Sequence, residues 1–134
     1  MNKNNLKDLL KKLQAKNQPE FLVLNAPREF LSVLWDIGKE IKVRREIEKE
    51  KPANFTLTFV RTLAELKKYI ALVLENSRAE NIIWFAWPKK TSKTYKTQIS
   101  AQHAWEELEK AGFQKVSHVS IDNDWSAVRF KKQP

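Results

Sequence analysis

Cysteine is absent from this chain of 134 residues, which removes disulfide frameworks and thiolate metal sites together. Nothing then argues for an oxidising compartment, and the cytoplasm is the expected location. Glycine occurs only as Gly38 and Gly112. No glycine-rich loop can therefore wrap backbone amides around a phosphate in the dinucleotide or P-loop manner. The two histidines, His103 and His118, have no histidine or carboxylate partner at ligand spacing within their own elements. They are expected as a helix-surface residue and a strand residue, and no metal site is expected. Long hydrophobic runs are missing too. Tyr69 to Leu74 and Ile82 to Trp87 are the longest, far short of the ~20 residues a membrane helix needs. Near the N-terminus Asp8, Lys11 and Lys12 interrupt the leucines, so no secretory signal is expected. There is no Gly-x-Ser-x-Gly elbow to support a serine hydrolase.

What is present is positive charge and regular apolar patterning. The net charge of +9 favours anionic surroundings such as nucleic acid, phosphorylated ligands or acidic headgroups. Only six of the 25 basic residues are Arg. Because base-edge recognition leans on the planar guanidinium, sequence-specific DNA reading is disfavoured. The length suits one domain with one core, spanning 1–134.

Leu6, Leu9, Leu10 and Leu13 recur at helical spacing, predicting an N-terminal amphipathic helix within 1–18 ahead of an α/β core over 20–134. Phe21 to Leu24 reads as a buried strand running into the turn Asn25-Ala26-Pro27. Phe30, Leu31, Leu34 and Trp35 predict a short second helix. Ile41 and Val43 alternate with charges as in an edge strand, which Arg44 and Arg45 end. Phe55, Leu57 and Phe59 define a clear strand. Thr62 and Glu65 have capping-box spacing ahead of the stripe Leu63, Leu66, Ile70, Val73 and Leu74. Ile82 to Trp87 is apolar throughout, as in a strand covered on both faces. Ala104, Trp105, Leu108 and Ala111 predict a helix, with Gly112 as its left-handed stop and Phe113 placed to touch Leu108. Val116 to Ile121 and Trp125 to Phe130, joined through Asp122, Asn123 and Asp124, predict a closing antiparallel hairpin.

The alternation implies a three-layer, Rossmann-like mixed sheet of five to six strands. One joint resists this scheme. About seven residues separate the strand at 41–47 from that at 55–60, whereas a parallel crossover usually takes a dozen or more. Either the two strands are antiparallel neighbours, or an extended segment crosses without a helix.

The candidate site is the carboxyl edge of the sheet, where ligands of open α/β folds gather. Lys89, Lys90, Thr91, Ser92, Lys93, Thr94, Tyr95 and Lys96 emerge there from the most buried strand. Lysines interleaved with hydroxyls can hold phosphate oxygens, and Arg28 and Arg61 follow two other strands. The plain alternative is a solvated basic loop. Pro27 removes an amide donor from the turn where such folds bind a cofactor, so no nucleotide cofactor is expected. Asp122 and Asp124 could share a cation, but short acids also bond their own backbone in tight turns, and the turn is expected. Of the five tryptophans, four occupy core-patterned positions, and Trp87 is the expected pocket wall.

Three pieces carry a resemblance: Val23-Leu24-Asn25-Ala26-Pro27, Trp84-Phe85-Ala86-Trp87-Pro88-Lys89-Lys90 and Ile121-Asp122-Asn123-Asp124-Trp125-Ser126. Their order resembles an uncharacterised bacterial family with Asn-Ala-Pro, Trp-Pro-Lys and Asp-x-x-Trp-Ser motifs. That family looks like a reduced relative of the Rossmann-type methyltransferase fold. The resemblance implies a fold and carries no activity with it. This chain departs from the pattern at Thr97, where the family often has aspartate, and at Ala127, where it often has glycine.

Three functions are compatible with these residues. The expected one is a non-enzymatic binding module for an anionic partner such as nucleic acid, using Asn25, Arg28, Arg61, Trp87, Lys89, Lys90, Lys93 and Tyr95. The others are a degenerate methyltransferase-like domain that keeps a small-molecule pocket, and a ligand-free interaction subunit.

Overall fold

The computed structural model describes residues 3–15, 17–100 and 105–133. The N-terminal leucines form α1 (Lys3–Lys12). It ends without glycine: Gln14 takes a left-handed φ of 58°, its N–H bonds the Lys11 carbonyl, and the Ala15 N–H reaches back to the Leu10 carbonyl. This is the paired closure of a Schellman end, with glutamine where glycine is usual. It leaves the Leu13 carbonyl to find a partner elsewhere in the core.

The remaining elements are β1 (Glu20–Leu24), a 3-10 turn at Arg28–Phe30, α2 (Leu31–Ile37), β2 (Lys42–Arg44), β3 (Ala53–Phe59), α3 (Leu63–Glu75), β4 (Ser77–Pro88), α4 (Glu106–Lys110), β5 (Phe113–Ser120) and β6 (Trp125–Lys132). The six strands form one sheet in the order β2-β1-β3-β4-β6-β5. The pairs β1–β2, β1–β3 and β3–β4 are parallel, while β4–β6 and β5–β6 are antiparallel. The mixed sheet with an antiparallel close agrees with the sequence expectation.

The two faces carry separate cores. Leucines of α1 and Phe30, Leu34 and Ile37 cover one face over Phe21, Val23, Phe55, Leu57, Phe59 and Trp84. Leu66, Ile70 and Val73 of α3, with Leu108 of α4, cover the other over Leu22, Leu24, Phe85 and Trp87. Ile83, Trp84, Phe85, Ala86 and Trp87 are all buried. These residues alternate between the two clusters, so β4 is covered on both sides as its unbroken apolar run predicts. It starts at Ser77, earlier than that run suggests, because Ser77 pairs with Ala53 before a register shift.

The difficult joint is an extended crossover. Strand β2 pairs with β1, not with β3, and residues 45–52 pass over β1 with no helix. Two anchors hold the segment. Ile47 packs into the α3-face core, and buried Arg44 donates to the Glu20 carboxylate at 3.1 Å and to the Lys51 carbonyl at 3.1 Å. A guanidinium fixed at both ends takes over what a crossover helix ordinarily does.

Thr62 caps α3 by accepting from the Glu65 N–H at 3.1 Å. Glu65, however, accepts from the Arg61 N–H at 2.7 Å, one residue before the position a capping box uses. Gly112 takes φ +91° after α4, and Leu108 and Phe113 share one cluster. Ala104 and His103 lie outside the described residues. One tryptophan corrects the sequence expectation. Trp35 is 75% exposed. The buried row of α2 is Phe30, Val33, Leu34 and Ile37, and Trp35 lies beside it on the rim facing the open β2 edge.

Candidate site at the carboxyl edge of the sheet

The chain leaves β1 through Asn25, whose φ of 58° turns it sharply away from the strand direction. Asparagine tolerates this region better than most residues because its short amide can bond locally. Here the Asn25 amide donates to the Phe59 carbonyl at 2.8 Å and to the Glu65 carboxylate at 3.1 Å, tying the ends of β1 and β3 to the start of α3. Asn25 is thus a structural strut of the edge.

The basic loop after β4 is held rather than free. The Lys89 N–H donates to the Asp124 carbonyl at 2.8 Å. The Ser92 hydroxyl donates to the Asp124 carboxylate at 2.7 Å and accepts from the N–H groups of Thr94 and Tyr95. The Lys89 ammonium reaches the Ser120 hydroxyl at 2.6 Å, and the Gln98 side chain accepts from the Leu63 N–H at 3.0 Å. Asp122 accepts from the N–H groups of Asp124 and Trp125, both at 2.8 Å, so it serves the tight turn as expected. Among the described residues no group of three or more His, Cys, Asp or Glu converges to hold a metal.

At the centre lies a residue the sequence did not single out. Glu29 accepts from the Tyr95 hydroxyl at 2.6 Å and from the Trp125 indole at 3.4 Å. Arg61 lies 5.6 Å over the Tyr95 ring, and Tyr95 and Trp125 are 5.1 Å apart. Burial pushes the Glu29 carboxyl up. The hydrogen bonds from Tyr95, its own backbone and Trp125, with the Arg61 charge, outweigh this and hold it below the ordinary value. The Tyr95 hydroxyl is pushed up to about 12, first by its hydrogen bond to Glu29, then by burial and the adjacent negative charge. At neutral pH the pair is a phenol donating to a carboxylate.

This bond is broken at both ends of the pH scale, by protonating the acid or by ionising the phenol. Glu29, lowered in the fold, contributes stability above 4.5 that is lost as pH falls below it. Tyr95, raised in the fold, contributes fully below 10 and loses that contribution as pH climbs toward 12. In a phenolate absorbance titration, Glu29→Gln brings the late step down from about 12 toward 10. Tyr95→Phe lowers stability in urea by about 1 kcal/mol. An unmoved late step in the Gln variant contradicts the assignment.

Of the sequence candidates, Asn25, Arg61, Lys89 and Tyr95 meet at this edge through the bonds above. Arg28 follows Pro27 there, and Lys90 and Lys93 are exposed on the loop. Trp87 is elsewhere. It is 5% exposed and packs on the α3 face against Trp105 at 5.7 Å and His118 at 5.5 Å, because consecutive strand residues point to opposite faces. Trp125, on the same face as Phe59 and Tyr95, forms the wall instead. What remains of the crevice among Asn25, Pro27, Phe59, Arg61, Tyr95 and Trp125 is a cavity of about 120 Å³.

The sheet order and closing antiparallel strands define the Rossmann-like methyltransferase fold, and solved structures agree. The N-methyltransferase NodS from Bradyrhizobium japonicum superposes with a TM-score of 0.61 at 10% identity, over 98% of this chain and 96% of that one. The B. subtilis tRNA methyltransferase TrmK gives 0.58 at 12%, over 99% and 67%. A SAM-dependent methyltransferase from Aquifex aeolicus gives 0.54 at 15%, over 93% and 88%. No family model matches the chain, and no curated protein matches it. At these identities the likeness is one of fold.

The fold raises the question of a methyl donor, and these residues do not fit one. A donor with an adenosyl and an amino-acid part needs a cleft in the range of ~300–1,000 Å³. The cavity at the end of β1 is less than half the lower bound. Its walls are side chains fixed by hydrogen bonds, and its turn offers Pro27 in place of an amide. Among the described residues no helix is long and apolar enough to cross a membrane.

Proposed function

We propose that this chain is a methyltransferase-fold module that binds an anionic partner at the carboxyl edge of its sheet and does not carry a methyl donor. The observation behind this reading is the narrow crevice walled by Tyr95 and Trp125, both hydrogen-bonded to the exposed Glu29, with exposed cations around its rim. Arg28, Lys90, Lys93 and Lys96 are exposed there and make no ion pair among the described residues. The acids at the same edge are engaged: Glu29 by Tyr95, Glu65 by Asn25 and Arg61, and Asp124 by Ser92. The edge can thus meet phosphates with little internal rearrangement, and the net charge of +9 draws such partners in. The preference for Lys over Arg suits backbone contact without sequence reading.

The Asn-Ala-Pro, Trp-Pro-Lys and Asp-x-x-Trp-Ser pieces all meet at this edge, which supports membership of the bacterial family they resemble. The test has two arms. Calorimetric titration with S-adenosylmethionine is expected to show no binding, and RNA or DNA oligonucleotides at low salt are expected to bind through the lysine loop. Tight binding of the methyl donor, or oligonucleotide affinity untouched by replacing the loop lysines, overturns the proposal.

A further inference from the structure

A groove of about 620 Å³ lies away from the narrow crevice, between α2 and the edge strand β2. Its floor is apolar, from Leu31, Leu34 and Val43, and Trp35 stands in it 75% exposed. Lys39, Lys42 and Arg45 form its rim. Lys39 pairs with Asp36 at 3.6 Å and Lys42 with Glu20 at 3.5 Å, with both lysine side chains about two-thirds exposed. Such pairs hold little energy and exchange readily for another anion. Arg45 is exposed and makes no ion pair among the described residues.

We propose that this groove stacks an unpaired base of a single-stranded nucleic acid on Trp35, with Lys39, Lys42 and Arg45 taking the flanking phosphates. The inference rests on the anionic-partner reading above and narrows it to single strands. A large exposed indole set among like charges is the combination that sequence-tolerant single-strand sites use: a π-face for the base and cations for the backbone. The groove is continuous with the proposed edge, because Leu31 follows the turn after β1 and Arg45 follows the last residue of β2. From β2 to β4 the edge spans three strand spacings, about 15 Å. Arg28 and Arg61 lie at strand ends between Arg45 and the lysine loop, so one short strand can touch all of them.

Two other occupants fit less well. A second copy would set Lys39, Lys42 and Arg45 against themselves, and like charges across an interface are costly. A peptide added to the sheet edge would find only the three residues of β2 to pair with, too few main-chain bonds for strand addition to hold.

Trp35 supplies its own readout. Trp84, Trp87, Trp105 and Trp125 are each no more than 5% exposed, so quenching of the solvent-exposed tryptophan emission reports Trp35. With the intact chain at low salt, a single-stranded oligonucleotide of about twelve nucleotides is expected to bind and quench that emission. A duplex of equal length is expected to bind without quenching. Trp35→Ala is expected to weaken single-strand binding about tenfold, and Trp35→Phe to retain most of it. If the oligonucleotide binds through the loop lysines while the emission stays unchanged and Trp35→Ala binds normally, base stacking is wrong and the anionic-partner reading survives. If no oligonucleotide binds, both fail. If only an acidic, aromatic-containing peptide quenches Trp35, the groove belongs to a protein partner and stacking is overturned.

Discussion

Trp84→Ala is expected to lower unfolding free energy by about 4–8 kcal/mol, the largest single-residue effect in the chain. Trp84 is fully buried in the middle of β4. Its indole N–H donates at 2.8 Å to the Leu13 carbonyl, the acceptor left open by the Schellman end of α1. Truncation to alanine opens a cavity, a loss of about 3–5 kcal/mol, and leaves that carbonyl dry and unpaired, a further loss of about 1–3 kcal/mol. Trp84→Phe separates the two causes, since it keeps much of the volume and loses only the donor, with an expected cost of about 2 kcal/mol. Both are read from urea midpoints with the slope checked for constancy. A Phe variant as stable as the parent would show that the bond to Leu13 contributes nothing, and α1 would then be held chiefly by its leucines.

The second large effect is on binding. Replacing Lys89, Lys90, Lys93 and Lys96 together with Ala is expected to reduce oligonucleotide affinity by about 100-fold at low salt and to flatten the salt dependence. Each phosphate that is no longer neutralised takes about 0.7 from the slope of log affinity against log salt for single strands, so the slope should shrink by about 2. The expected change is smaller than four phosphates would give, because the Lys89 ammonium is already engaged with Ser120. The fold should survive, since Lys90, Lys93 and Lys96 are exposed and the loop is held by Ser92, Asp124 and the Lys89 main chain. A uniform drop in affinity with an unchanged slope would place the phosphate-binding groups elsewhere on the surface.

The layered architecture was legible in the sequence because burial writes itself into periodicity. The continuous run in β4, the alternation in β3, the Thr62 cap and the Gly112 stop each have a local cause and each stands where the pattern puts it. Three features had no local signature. The crossover at 45–52 depends on Arg44 bonding residues on two other segments. Trp35 shares the apolar spacing of α2, and it faces outward because, among the described residues, no further element lies beside β2 in the sheet. Glu29 is a single acid in an ordinary helical turn, and its role comes from Tyr95 and Trp125, 66 and 96 residues further along. Trp87 packs in the core and the crevice wall falls to Trp125, itself buried as its core pattern predicts, because strand parity, not distance from the strand end, decides which face a side chain occupies.

Trp125 also determines how the crevice can fluctuate. It is the first residue of β6, paired opposite Pro88 of β4, and its carbonyl accepts from the Ile121 N–H. A wall built into a hydrogen-bonded ladder cannot swing aside as a hinged lid would. Vacating the space above Phe59 means turning the buried indole out of its edge-on packing against Phe59 or opening the start of the hairpin, and either local excursion costs buried contacts. Any molecule that must enter there would wait on that opening, whereas the outer rim stays available at all times.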